Sequence, residues 1–311
     1  MKILIGIDGG GTKTEAAAAT EGGEIIGTFE AGPSNVFKVD FAASAAALEN
    51  VIEGSLAKAH ASRAEVVSIC AGLAGVDRPT IQKQITDILY RIVPIDRISV
   101  VGDATTALMG ATEGEPGMVV ISGTGSIAYG MNAQRQRARA GGWGHIVDDF
   151  GSGYDIVRNA FNEVFRAHDG LEPPTRLTQA FLDTLHAENV DNLLIAIHRD
   201  YTTAGKIASL FPLVQSVADG GDIIANKLLE RAGHDLSSTA EAVVRKLDLY
   251  NQDFICGTTG GVFQSSRQVR DSFAWYVHRF APRANVCFPR KSAVEGALML
   301  ARANFQGRRM F

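Results

Sequence analysis

Cysteine is scarce in this chain. Cys70, Cys256 and Cys287 are odd in number and far apart, so neither a disulfide framework nor a Cys-x-x-Cys zinc or iron–sulfur site is encoded. They suit buried thiols in a reducing compartment. Long basic runs are missing too. No two-residue Lys/Arg run is extended to a third, and the net charge is −4, so the footprint of a nucleic-acid or anionic-membrane binder is absent. No apolar run approaches ~18 residues. The first strand-like segment carries Asp8 and three glycines where a secretory leader needs an unbroken apolar core. A soluble, cytoplasmic protein with small-molecule partners, no nucleic acid and no membrane is expected.

What is present is an ordinary globular balance, 46% hydrophobic and 21% charged over 311 residues, enough for two domains of common size. Glycine stands out at 33 of 311 residues, roughly a tenth against ~7% on average. The surplus is clustered at residues 6–11, 122–130, 141–153 and 257–261. Such clustering implies several loops whose backbones approach a common ligand, since none is a Gly/Ser linker tract.

Residues 2–14 read Lys-Ile-Leu-Ile-Gly-Ile-Asp-Gly-Gly-Gly-Thr-Lys-Thr. Ile3, Leu4, Ile5 and Ile7 suit a core strand, and Asp8 followed by Gly9, Gly10 and Gly11 lets backbone N–H groups approach an anion. Thr12, Lys13 and Thr14 add donors. The pattern fits either a plain glycine β-turn or a phosphate-handling hairpin.

The periodicity then predicts strands over 15–20 and 24–30, a helix over 41–61, a strand over 66–71 and a helix over 79–92. A strand over 98–101 runs into Gly102-Asp103, with a helix from Ala104 to Gly110. Strands alternating with helices predict an α/β lobe. Glu113-Gly-Glu-Pro-Gly117 is the best boundary. Beyond it a strand over 118–122, the turn Gly123-Thr124-Gly125-Ser126 and a return strand over 127–131 repeat the opening design. Ser152 is placed to cap a helix with apolar positions at Ile156, Val157, Ala160, Phe161, Val164 and Phe165. Helices dominate to about Leu247. A strand over 254–256 enters the third glycine turn, which includes Gly260 and Gly261, and a last helix covers 293–303.

The turns at Gly9–Thr14 and Gly123–Ser126 suit opposite walls of a nucleotide triphosphate site, with the third turn against adenine. Asp103 ends an apolar strand and begins a helix, a position at the mouth of α/β clefts. It is either a helix-capping aspartate or the base that takes the proton from an attacking hydroxyl during phosphoryl transfer, a reaction assisted by magnesium.

Taken in order, Asp8-Gly-Gly-Gly-Thr-Lys-Thr14, Gly32-Pro-Ser-Asn35, Gly102-Asp103-Ala104, Ile121-Ser-Gly-Thr-Gly-Ser126 and Gly141-Gly-Trp-Gly-His145 resemble the N-acetylglucosamine kinase group. That group lies within the BadF/BadG/BcrA/BcrD ATPase family of actin-like sugar kinases. The resemblance implies an α/β fold of two actin-like (ribonuclease H-like) lobes with a nucleotide and sugar cleft between them. One lobe would span 1–115, completed by a helix over about 293–311, and the other 116–292. It implies ATP and Mg2+, with Asp8 on the metal and Gly10, Gly11, Thr12, Lys13, Thr14, Gly123, Thr124, Gly125, Gly260 and Gly261 on the nucleotide. Asp103 becomes the base that activates the 6-hydroxyl of an amino sugar held also by Asn35, Gly142, Trp143, Gly144 and Asp149. A homodimer is the expected assembly. His145 beside Trp143 is read as structural.

One departure bears on the sugar. Relatives carry Gly-Asp-Glu-Gly-Ser after the tryptophan motif, where this chain has Asp148-Asp149-Phe150-Gly151-Ser152. Phe150 cannot accept the hydrogen bonds of the replaced glutamate. N-acetylglucosamine and glucosamine lead as substrates, with N-acetylmuramic acid and related sugars as alternatives. An ATPase that activates an electron-transfer partner is disfavoured because only Cys256 falls near a glycine loop, and the cysteine-rich zinc motif of ROK-type kinases is missing.

Overall fold

The computed structural model describes residues 1–308. The last three residues of the expected closing segment, 309–311, lie outside them. The chain divides into two compact units, Met1–Gly117 with the segment from Pro289 onward, and Met118–Phe288.

The first unit contains β1 (Ile3–Gly9), β2 (Thr14–Thr20), β3 (Ile25–Ala31), α1 (Phe41–Lys58), β4 (Val66–Leu73), α2 (Pro79–Ile92), β5 (Ile98–Gly102) and α3 (Asp103–Thr112). The second contains β6 (Gly117–Ser122), β7 (Ser126–Met131), β8 (Arg137–Gly141), α4 (Gly153–His168), α5 (Leu177–Leu185), α6 (Val190–Asp200), α7 (Ala204–Ala208), α8 (Phe211–Asp219), α9 (Ile223–Leu247), β9 (Phe254–Thr259), α10 (Gly261–Ser265), α11 (Arg267–Phe280) and β10 (Ala284–Cys287). The closing helix α12 (Ala293–Phe305) belongs to the first.

The two sheets share one strand order. The first runs β3-β2-β1-β4-β5, and the second, β8-β7-β6-β9-β10. The opening hairpin is antiparallel, and β1, β4 and β5 are parallel. In the second sheet β7 and β8 are antiparallel and β9 and β10 parallel. The hairpin-then-crossover design is therefore repeated, giving two α/β units with the same strand order.

Alternation along β1 explains its unbroken apolar run. Ile3, Ile5 and Ile7 join one core cluster with Leu48, Ile52, Ile85 and Leu89 of α1 and α2. Leu4 joins the other, with Met109 and with Ala297, Leu298 and Ala301 of α12. Successive side chains leave opposite faces of a strand, so a strand covered by helices on both sides reads as continuous hydrophobic sequence. Gly6 lies on the α12 side, where a Cβ would sit 2.6 Å from the Leu298 nitrogen and 2.7 Å from the Val294 oxygen. Only glycine permits that approach.

Several boundaries differ from expectation. α1 stops at Lys58 rather than 61, because Ala59 caps it and His60 adopts a left-handed φ of 52°, which ends a helix. α3 begins at Asp103 itself. Ser152 caps α4 as expected, accepting from the Asp155 N–H at 3.2 Å. Among the described residues no helix is long and apolar enough to cross a membrane.

Candidate active site

In the first unit, β1 and β2 place a tight glycine turn at the sheet end. Gly10 N–H donates to the Lys13 carbonyl at 2.9 Å, closing it. The Gly10 carbonyl accepts from the N–H groups of both Ser34 and Asn35 at 3.3 Å, which ties the Gly32–Asn35 loop to the turn. Asn35 itself is braced, its Oδ1 accepting from Phe37 N–H at 2.9 Å.

The hydroxyl and ammonium groups of the turn are deployed unequally. Thr12 is exposed. Thr14 is wholly buried and its hydroxyl donates to Ser34 Oγ at 2.8 Å. Lys13 Nζ lies 2.6 Å from Glu30 Oε2 on β3. Glu30 pairs with Glu15, and Glu15 with Asp8, across the strands, so Lys13 and Glu30 lie on the Asp8 face of the hairpin.

Asp8, next to last in β1, and Asp103, the first residue after β5, are only partly exposed. Burial, reinforced by the negative charges of Asp103 and Glu15 and opposed by Lys13, pushes the Asp8 carboxyl up to about 7. Burial also raises Asp103, against a stabilising hydrogen bond from Ala104 N–H at 2.9 Å. Asp77 adds to that rise. Its carboxylate packs so close to Gly102 that any side chain there would collide with it. In the sequence the only signal of Asp77 is Gly75-Val-Asp after an apolar strand. Gly75, with φ of 84°, packs beneath Asn35 and Phe37, so the loop after β4 also borders this site.

A carboxyl that binds its proton more tightly than usual is suited to general-base work near neutral pH. The concentration of negative charge around Asp8 favours a cation. Among the described residues no three His, Cys, Asp or Glu side chains gather to hold a metal by themselves. A single recessed carboxylate such as Asp8 fits Mg2+, which keeps water and takes substrate phosphate oxygens alongside one or two carboxylates.

In the second unit the equivalent hairpin turn is closed by Gly123 N–H donating to the Gly125 carbonyl at 2.9 Å. Thr124 sits at its tip, partly exposed. Asp149 is buried, with a left-handed φ of 65°, and its Oδ1 accepts from Ser126 N–H at 3.0 Å. A Cβ on Gly125 would sit 2.8 Å from either carboxylate oxygen of Asp149. Gly260, with φ of 100°, packs on the Ser122 backbone so closely that a Cβ would overlap it, and Gly261 starts α10. The turn, the third glycine loop and Asp149 thus converge.

The tryptophan motif is more open. Gly142 and Gly144 have φ of 75° and 93°. Trp143 is 71% exposed, with the Arg139 guanidinium 4.3 Å from its ring centre, and the Trp143 backbone N–H donates to Asp148 Oδ2 at 3.1 Å. Ile146 and Val147 are 86% and 71% exposed, and Phe150 is 46% exposed. The ring of His145 packs edge-on against Tyr154 at 4.9 Å.

Residues 5–301 match the BadF/BadG/BcrA/BcrD ATPase family. The chain belongs to that family. It is 35% identical over 303 residues to an N-acetylmuramic acid/N-acetylglucosamine kinase of Clostridium acetobutylicum, covering 97% of this chain and 99% of that protein. It is 31% identical over 314 residues to an N-acetyl-D-glucosamine kinase of Dictyostelium discoideum, with 96% and 98% covered. A solved structure from Chromobacterium violaceum, assigned as an N-acetylglucosamine kinase, superposes with a TM-score of 0.80 at 30% identity, covering 97% of this chain and 99% of its own. Membership of this ATPase family implies ATP as its nucleotide.

Proposed function

We propose that this member of the BadF/BadG/BcrA/BcrD ATPase family is an ATP-dependent kinase that transfers the γ-phosphoryl group to the 6-hydroxyl of an amino sugar, N-acetylglucosamine or glucosamine. The observation that carries the proposal is Asp103. It is a recessed carboxylate at the end of β5, with raised proton affinity and an amide donor fixing its orientation, in a chain similar throughout to proteins named as amino-sugar kinases.

In this reading Asp103 accepts the proton of the attacking hydroxyl, and Asn35 holds the sugar ring. Gly10, Gly11, Thr12, Gly123, Thr124 and Gly125 present backbone and hydroxyl donors to the phosphates, and Gly260 and Gly261 border the adenosine. Asp8 would hold Mg2+, which when bound neutralises charge on the phosphoryl oxygens. Asp149 acts by holding the Gly123–Ser126 turn, and Trp143 with its glycines borders the sugar. Excluding water from the site keeps it from replacing the sugar as acceptor. We place the reaction in the cytoplasm, where ATP and reduced cysteines coexist, in a homodimer.

N-acetylmuramic acid is the second substrate to consider, because a similar protein is named for both sugars and Phe150 puts an apolar ring where a carboxylate would repel a second anion. An ADP-release assay with glucosamine, N-acetylglucosamine and N-acetylmuramic acid tests the proposal. Phosphate on the 6-oxygen, located by NMR, is the expected product, and phosphate on the anomeric oxygen contradicts it.

A further inference from the structure

We infer that Lys38, rather than Lys13, supplies the ammonium that meets the transferring phosphoryl group at the β1–β2 turn. The inference rests on the nucleotide role proposed for that turn. Lys13 is the lysine the motif suggests, and its charge reaches Asp8, yet its Nζ is engaged by Glu30 at 2.6 Å. Its neighbour Thr14 points inward to Ser34, so the two leave opposite faces of the hairpin.

Lys38 reaches the turn from the Ser34 side. A Cβ on Gly11 would lie 2.6 Å from Lys38 Cδ, 2.7 Å from Nζ and 2.8 Å from Cε. The lysine chain therefore lies along the glycine, in space that only the missing side chain leaves free. Gly11 is thereby explained by more than backbone approach to an anion. Among the described residues Lys38 has no carboxylate within ion-pair distance.

Its backbone is fixed by the loop that carries Asn35. Lys38 N–H and Val39 N–H donate to the Asn35 carbonyl at 2.8 and 3.0 Å, while Asn35 N–H donates to Gly10. Phe37 holds the loop from the other side, packing on Gly75 with the Arg78 guanidinium 5.1 Å from its ring centre. One short loop thus places the residue proposed for the sugar and the Lys38 ammonium beside the turn. A lysine is a compact point charge with three donors, and phosphoryl transfer gains most from charge placed where negative charge develops.

Lys38→Met keeps the aliphatic stem and removes the charge. With the best sugar substrate, kcat should fall by about 10- to 1000-fold, the range for losing one preorganised donor. The melting temperature should stay unchanged, and Lys38→Arg should recover part of the rate. Lys13→Met should lose at least tenfold less kcat than Lys38→Met. Gly11→Ala, which fills the seat of Lys38, should move kcat in the same direction. The inference is overturned if Lys38→Met stays within threefold of the parent kcat, or if Lys13→Met loses as much. Should no sugar support turnover in the parent protein, the kinase reading fails on its own, and calorimetric titration decides the lysine. At least tenfold weaker ATP binding by Lys38→Met, with AMP binding unaltered, supports it, and equal ATP affinities overturn it.

Discussion

Asp149 Oδ1 accepts a hydrogen bond from the backbone N–H of Ser126 at 3.0 Å, joining two segments that the sequence presents as separate motifs. The same carboxylate packs on Gly125, so the Gly123–Ser126 turn is held from behind by a residue of the loop after β8. Asp149→Ala leaves a buried N–H without a partner, at a cost of roughly 1–3 kcal/mol. A lowered melting temperature and a several-fold higher KM for ATP are expected in that variant. An unchanged KM for ATP would show that the turn keeps its shape unaided.

Asp103→Asn removes the proposed base while preserving the shape of the side chain. General-base loss typically lowers kcat by about 10²–10⁴-fold, and ATP affinity, measured by calorimetry, should be kept. Because burial raises the carboxyl, the parent enzyme should lose kcat, as pH falls, before an ordinary aspartate would protonate.

Asp8 makes the opposite statement about stability. Its carboxyl is raised from 3.8 to about 7 by burial and by the charges of Asp103 and Glu15, so the folded protein binds this proton more tightly than the unfolded chain does. Below pH 3.8 the group is neutral in both states and the charge burial costs nothing. Between pH 4 and 7 stability falls as pH rises, and above pH 7 the full cost is present. Asp8→Asn in metal-free protein should therefore raise the melting temperature at pH 8 and leave it nearly unchanged at pH 3.5. Equal gains at both values would contradict the account.

The closing helix is closely fitted against α3. A Cβ on Gly296 would overlap the Thr106 carbonyl and lie 2.6 Å from the Gly110 nitrogen, so α12 and α3 cross almost backbone to backbone. Overpacking of this kind costs about 1–3 kcal/mol or more. Gly296→Ala should lower the denaturant midpoint accordingly, with the slope of the transition kept.

Much of the fold is legible in the sequence because local periodicity decided it. The buried run Ile3–Ile7, the Ser152 cap and the repeated strand–glycine turn–strand unit each rest on neighbouring residues. β8 and β10 were not anticipated. Arg137-Ala-Arg-Ala-Gly141 places its charges on an edge strand, and Ala284–Cys287 is only four residues long, so neither shows a strand pattern by itself. The site was less legible than the fold. Spacing along the chain cannot show that Thr14 faces Ser34, that Lys13 turns to Glu30, or that Asp77 comes up beside Gly102 and Asp103. Those placements are set by strand pairing and loop return, which bring together residues 17 to 26 positions apart. Phe150 is a case of partial legibility. Its departure from relatives is plain in sequence, but its exposure and the use of its backbone carbonyl by Ser126 Oγ at 2.8 Å appear only in three dimensions.

The central claim is tested most directly by ADP release with ATP and Mg2+ across glucosamine, N-acetylglucosamine, N-acetylmuramic acid, N-acetylmannosamine and glucose. An amino sugar should stimulate ADP formation well above the sugar-free rate, with one sugar phosphate formed per ADP and glucose clearly poorer. If none of the five sugars raises ADP release above the sugar-free background, the amino-sugar kinase reading is contradicted.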